Sequence, residues 1–331
     1  MSDGHSILEL TARAERGDPE AQYMLGRRCY EGDGVERDLE RAVSLISDAA
    51  RAGYAEAEYT YGYFLLNGIG MPADATEAIR WYRRAADQGY PEAQYGLGYI
   101  CDKGLGIPVN KMEAAKWYLL AADQGHPGAQ CNLGILYYNG WGVRLDRSEA
   151  FTLFSKSADQ SNVDAMFNVA RMFETGEGTE RDQAKAVEWY GIAASHGEPN
   201  SLREIGLRYL HGDGVAKDEV LAARMLSCSA ERGDRESMLT LGMMYYSGTG
   251  VGKDLGSARR LFRGAAESWD PLAIFMLGLM YLTGEGIEAD ERRGIGLIKL
   301  SAEIGCPEAA EFLAARARSS EVLLVPRDDL D

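Results

Sequence analysis

Eight Gly-x-Gly pairs, four histidines and five cysteines are the residues of this sequence whose types and spacing could do chemistry. The pairs begin at Gly32, Gly68, Gly104, Gly140, Gly176, Gly212, Gly248 and Gly284. A glycine pair cradles phosphate when it follows a strand and opens a helix, because the free amides of the helix start then face the anion. Here each pair follows a helical pattern, so turns are expected. His5, His126, His196 and His211 show no i, i+3 or i, i+4 ligand spacing and fall far apart; they are expected at helix ends on the surface. There is no G-x-S-x-G and no HExxH. Acidic pairs such as Glu56 and Glu58 are expected on solvated helix starts. No catalytic residue, cofactor or metal ligand is therefore expected, which argues against an enzyme.

The positions that hold these residues repeat. Successive first glycines of the pairs all differ by 36, and eight copies at one period define a repeat array rather than two globular domains. A second glycine column reads Gly26, Gly62, Gly98, Gly134, Gly206, Gly242 and Gly278, broken by Ala170. Each unit holds two helical patterns. In the second copy Ala57, Tyr61, Phe64 and Leu65 fall at helical spacing, and glycine ends the segment by taking the left-handed conformation. The second helix starts at Asp38, Asp74, Asn110, Asp146, Asp182, Asp218, Asp254 and Asp290, all good N-cap side chains. Glu77, Glu113 and Glu149 stand where they could complete a reciprocal capping box. Ala78, Trp81, Tyr82, Ala85 and Ala86 form its inward face.

No single helical pair can bury both faces, so neighbours must stack. The expected fold is an all-α superhelix, a solenoid of helix-turn-helix repeats spanning 19–54, 55–90, 91–126, 127–162, 163–198, 199–234, 235–270 and 271–306. Residues 1–18 supply an N-terminal capping helix with Leu10 and Ala14 in register, and 307–318 a C-terminal one with Ala309 and Leu313 in register. Residues 319–331 leave the repeat and are expected to form a loosely packed or disordered acidic tail.

Composition narrows the partners. The net charge of −16 repels a polyanion, and no dense basic cluster offsets it, which disfavours nucleic acid. No apolar run is long enough to cross a bilayer, and the N-terminus lacks the pattern of a secretory signal. The odd cysteine count without CxxC fits free thiols in a reducing compartment, so a cytoplasmic location is expected. Cys29 and Cys101 share a core column with Tyr137 and Tyr209 and are expected to be buried fillers.

The register reads A-x-x-x-L-G-x-x-Y-x-x-G-x-G-V-x-x-D-x-x-x-A-x-x-W-Y-x-x-A-A-x-x-G, as in AQCNLGILYYNGWGVRLDRSEAFTLFSKSADQS. This resembles the Sel1-like repeat family, a relative of the tetratricopeptide repeat. The resemblance implies a protein-binding adaptor or scaffold; bacterial signalling regulators and host-interaction factors also occur in the family. A cysteine-rich branch carries a disulfide in each repeat, and this chain lacks such pairs. Ser161 and Trp269 stand where the second helix should end in glycine.

By analogy with tetratricopeptide repeats, one face of the first helix of each repeat should line a concave groove. On that face Asn132 and Asn168 carry amides able to bond a peptide backbone, and Tyr63, Tyr99, Ile135 and Arg171 are candidate contacts. The middle of the Gly-x-Gly turn is apolar in repeats two to four, at Ile69, Leu105 and Trp141, and polar in the other five. These three are expected to form an apolar stripe that a protein or peptide partner covers.

Overall fold

The structure is a computed structural model that describes the backbone of residues 7–322 and the side chains of 7–318. Every element among the described residues is a helix. The chain divides into two units, residues 1–181 and 182–331.

The first unit opens with α1 (Ile7–Glu15). Helix pairs follow: α2 (Pro19–Glu31) with α3 (Leu39–Arg51), α4 (Ala55–Asn67) with α5 (Ala75–Asp87), and α6 (Pro91–Lys103) with α7 (Lys111–Asp123). Next come α8 (Pro127–Asn139) with α9 (Arg147–Ala158), and then α10 (Val163–Thr175). The second unit holds α11 (Gln183–Ser195), α12 (Pro199–His211) with α13 (Glu219–Ala230), and α14 (Arg235–Ser247) with α15 (Leu255–Glu267). It ends with α16 (Pro271–Thr283), α17 (Glu291–Glu303) and α18 (Pro307–Val322). Within each unit every helix packs on the next, the arrangement of an all-α solenoid of helical hairpins. We call the first helix of each repeat A and the second B.

Local chemistry explains the hairpins. The first glycine of each pair has φ between 67° and 85°, which suits a residue without Cβ. Its N–H and that of the next residue converge on one helix-A carbonyl: Gly140 and Trp141 both donate to Leu136 O. The N-cap residue then donates its own N–H to the carbonyl one residue on, as Asp146 does to Tyr137 O. This corrects the capping-box expectation. Because that N–H is already taken, Glu77 and Glu113 turn outward to Arg80 and Lys116 instead. The N-cap side chains work as expected in all eight repeats.

The glycine column of helix A allows close packing. A Cβ on Gly98 would lie 2.5 Å from the Tyr118 ring, and one on Gly134 would lie 2.8 Å from Phe154. Tyr118 and Phe154 are among the largest fully buried side chains. Cys29 and Cys101 are buried as expected, and burial pushes the Cys131 thiol up to about 12. Ser161 and Trp269 keep the left-handed backbone of the glycines they replace, at φ 65° and 59°.

A buried polar ladder runs through the first unit that the sequence reading does not anticipate. Gln88 donates to Glu58 at 2.7 Å, Gln124 to Gln94 at 2.8 Å and Gln160 to Gln130 at 2.8 Å, each tie joining the two helices of one repeat, while Gln94 and Gln130 donate onward to Ala86 O and Ala122 O of the repeat before. Glu58 is thus not on a solvated helix start. It is fully buried, pairs with Arg84 at 2.7 Å, and its carboxyl is raised by burial against the opposing pull of Arg84. Its register is the glutamine column, which faces the preceding helix B.

At the two ends, Leu10, Ala14 and Ala309 are buried, and Leu313 packs against the last core cluster. Helix α18 continues to Val322, into the segment expected to be the tail. Residues 323–331 of that tail, and His5 with the rest of 1–6, lie outside the described residues.

Candidate partner-binding surface

The second glycine of each pair sets the geometry of the turn edge. In repeats two to eight it sits on the start of the preceding helix B. A Cβ on Gly142 would lie 2.3 Å from the Lys111 backbone carbon, and one on Gly106 would lie 2.9 Å from Ala75 Cβ. Each turn therefore rests on the repeat before it, and within the first unit the middle residues succeed one another along a single edge.

Of the three expected stripe residues, Leu105 and Trp141 are exposed, while Ile69 is half-buried against the core around Phe64. The edge is nonetheless larger than the stripe. Val109, Met112 and Leu145 are exposed on the same turns and the helix start between them. Val109 and Leu145 cover the first glycines Gly104 and Gly140. A column-wise reading would have found them: the position is Ala73, Val109 and Leu145 in repeats two to four and Ala289 in repeat eight, but Arg37, Arg181, Lys217 and Lys253 in the others.

A charge relay joins this edge to the helix-A face. The Asp102 carboxylate takes Lys111 Nζ at 2.7 Å on one oxygen and Lys103 Nζ at 3.1 Å on the other. Lys111 Nζ stands 5.3 Å from the centre of the Trp141 ring, and Lys103 Nζ stands 5.8 Å from that of Tyr99. Tyr99 and Trp141, expected on different faces, are thus linked through two cations and one nearly buried acid.

The next joint uses the same three positions with two of the roles exchanged. Tyr138 takes the place of Asp102, Arg147 that of Lys111, and Glu177 that of Trp141. Tyr138 donates its hydroxyl to Glu177, and Arg147 pairs with Glu177 at 3.1 Å. Arg147 and Arg171 lie 5.3 and 4.8 Å from the Tyr138 ring centre. With the acid inside and the aromatic on the turn, Trp141 is left 49% exposed.

The remaining expected contacts are distributed along the helix-A face. Tyr63 is exposed and Ile135 half-buried. Asn132 donates to the Tyr118 hydroxyl at 3.1 Å and Asn168 to Asp164 O at 2.9 Å, so one N–H of each amide is already used within the fold. Arg171 is committed to Tyr138. The histidines divide: His196 and His211 are exposed at helix ends, but His126 is half-buried. It stacks on Tyr95 at 4.5 Å and caps α8 by accepting the Ala129 N–H on Nδ1 at 3.1 Å. Among the described residues no cluster of three or more His, Cys, Asp or Glu side chains could hold a metal ion, and no helix is long and apolar enough to cross a membrane.

The Sel1 repeat profile matches residues 19–54, 55–90, 91–126, 127–162, 163–198, 199–234, 235–268 and 271–306. Among solved structures, the chain is similar to a protective antigen of uropathogenic Escherichia coli that displays an SLR fold. The identity is 33% and the TM-score 0.83, over 94% of this chain and 67% of that one. It is also similar to a Sel1 repeat protein from Oxalobacter formigenes, with 30% identity and TM-score 0.67 over 95% and 91% of the two chains. No curated protein matches.

Proposed function

The chain belongs to the Sel1 repeat family, and we propose from that premise that it is a non-enzymatic scaffold that binds a protein or peptide partner. The partner lies on the turn edge of repeats two to four and extends onto the adjoining helix-A face, the groove side of the repeat. Trp141, Leu105 and Tyr99 anchor it, with Tyr63, Ile69, Ile135, Asn132, Asn168 and Arg171 flanking.

One observation carries this reading. Of the fourteen exposed large apolar side chains among the described residues, nine lie in repeats two to four, and five of these share the turn edge. Contiguous apolar surface of this kind marks interaction sites, and aromatic anchors carry most of the energy at such sites. The free, mostly buried cysteines support a compartment that keeps thiols reduced, such as the cytoplasm.

A photo-crosslinking side chain placed at Leu105 should capture a partner that the same group placed at Asp213, the equivalent turn of repeat six, does not. Trp141→Ala with Tyr99→Ala should abolish the capture. Equal capture from both turns, or capture that survives the double substitution, sinks the assignment. The likeness to a protective antigen supports a second reading, a bacterial protein that meets a host, which fractionation of the native cells would separate from a cytoplasmic scaffold.

A further inference from the structure

The second unit contains a groove lined mostly by apolar side chains. It runs between the B helices α11 and α13, with α12 as its floor, and encloses about 590 Å³. Val187, Leu202, Ile205, Tyr209, Leu221 and Met225 give it an apolar lining. Its volume falls in the range of small-molecule sites.

Two small residues keep it open. Gly191 lies inside α11, where glycine destabilises a helix relative to alanine. A Cβ there would meet nothing within 4 Å, so packing does not require the glycine. The same register position holds Arg83, Leu119, Arg263 and Lys299 in four other repeats, and Ser47, Ser155 and Ser227 in the remaining three. Across the groove stands Cys228, at a position held by Arg84, Leu120, Lys156, Ile192 and Leu300 in five other repeats, and by Asp48 and Gly264 in the first and seventh.

The two ends differ in charge. Glu188 lines one end, and His196 with Arg232 lines the other. Eight residues of helix separate Glu188 from His196, a span of about 12 Å. Arg232 donates to Cys228 O at 2.7 Å, and its other terminal nitrogen would lie 3.0 Å from a Cβ on Gly197. The guanidinium therefore sits across the mouth, and among the described residues it pairs with no carboxylate.

We propose that this groove binds a small apolar carboxylic acid. The aliphatic chain lies between Gly191 and Cys228 over the α12 floor, and the carboxylate meets Arg232, pointing away from Glu188. This site is separate from the turn edge of repeats two to four and takes a different class of ligand.

Cys228 supplies the test, because the other four cysteines are buried. In the full chain, alkylation of Cys228 by N-ethylmaleimide, followed by intact mass, should slow about tenfold when decanoate is present at ten times its Kd. Decanol at the same concentration should protect less, and Arg232→Gln should erase that preference. Gly191→Leu should fill the groove and remove the decanoate effect; Gly191→Ala, which also favours the helix, should weaken it while circular dichroism shows the fold intact. The proposal is overturned if decanoate leaves the alkylation rate unchanged below its micellar concentration. It is equally overturned if Arg232→Gln preserves the preference for decanoate over decanol.

Discussion

Gly142→Ala tests whether the second glycine of the turn is there for close approach or only for its backbone angle. Its φ is +71°, so any Cβ carries the left-handed penalty of about 1–2 kcal/mol. In addition, that Cβ would lie 2.3 Å from Lys111 C, 2.5 Å from Lys111 O and 2.5 Å from Met112 N. These are backbone atoms at the start of α7 and cannot swing aside. Reaching ordinary contact at 3.4 Å requires the turn and α7 to separate by 3.4 − 2.3, or 1.1 Å. Overpacking of this kind costs about 1–3 kcal/mol, for a total of about 2–5 kcal/mol.

Gly214 is the control. It holds the same register position with φ +73°, but its added Cβ would meet only side-chain atoms, Val187 Cγ2 at 3.3 Å and Gln183 Cγ at 3.7 Å. Gly214→Ala should therefore cost little more than the backbone term. Gly125→Ala, at φ +90° with nothing within 4 Å, isolates that term. The assay is urea unfolding with amide hydrogen exchange on α7 and α8, because repeat arrays lose stability locally. The close-approach argument fails if Gly142→Ala and Gly214→Ala agree within about 0.5 kcal/mol, the scale on which independent sites are compared.

Trp269 is the reverse case: a bulky residue at φ 59° and 65% exposed, where most repeats have glycine. Trp269→Gly should stabilise the chain by roughly 1 kcal/mol in the same unfolding assay; a loss of stability would mean that the indole makes contacts worth more than the strain. His126 should make folding pH-dependent. Its cap needs an unprotonated Nδ1, and burial, opposed by the nearby Glu92 carboxylate, lowers its pKa below the ordinary value of 6.5. The neutral form is favoured in the fold, so the stabilisation is present above 6.5 and lost as the pH falls through the lowered value. His126→Asn retains a cap that does not titrate, so unfolding free energies between about pH 5 and 7 should lose that slope; an unchanged slope refutes the role.

The sequence makes the fold legible because each helix boundary is written in local chemistry. A left-handed glycine ends helix A, and an Asp or Asn accepts amides at the start of helix B, so reading down the 36-residue columns finds both. What the columns hide is which side chains meet once the helices pack. Glu58 looks like a solvated acid until the register places it beside Gln88 of its own helix B and among the buried glutamines. The helix-A N-cap column in the first unit reads Asp18, Tyr54, Tyr90, His126 and Asn162, of which Asp18, His126 and Asn162 accept amides with their side chains. The two tyrosines make no side-chain cap and instead pack ring against ring, Tyr54 tilted on Tyr23 and Tyr90 edge-on to Tyr59. Propensity favours a cap at such a position, and aromatic packing overrides it.

The same logic changes the meaning of Trp141. Within its own column it is an odd apolar residue, and exposure alone would make it an anchor. Across the joint it is one member of a set of three: an acid, a cation and an aromatic ring, shared between a helix-A terminus, the start of helix B and the following turn. The joint formed by Tyr138, Arg147 and Glu177 closes that set with the ring inside. The joint formed by Asp102, Lys111 and Trp141 closes it with the ring outside, and the Trp141–Lys111 contact at an exposed site contributes only about 0.5–1 kcal/mol. The exchange presents an indole on the same edge as the exposed Leu105, Met112 and Leu145. The Tyr–Glu arrangement is available one repeat away, so the exposed ring supports the partner contact proposed for this edge.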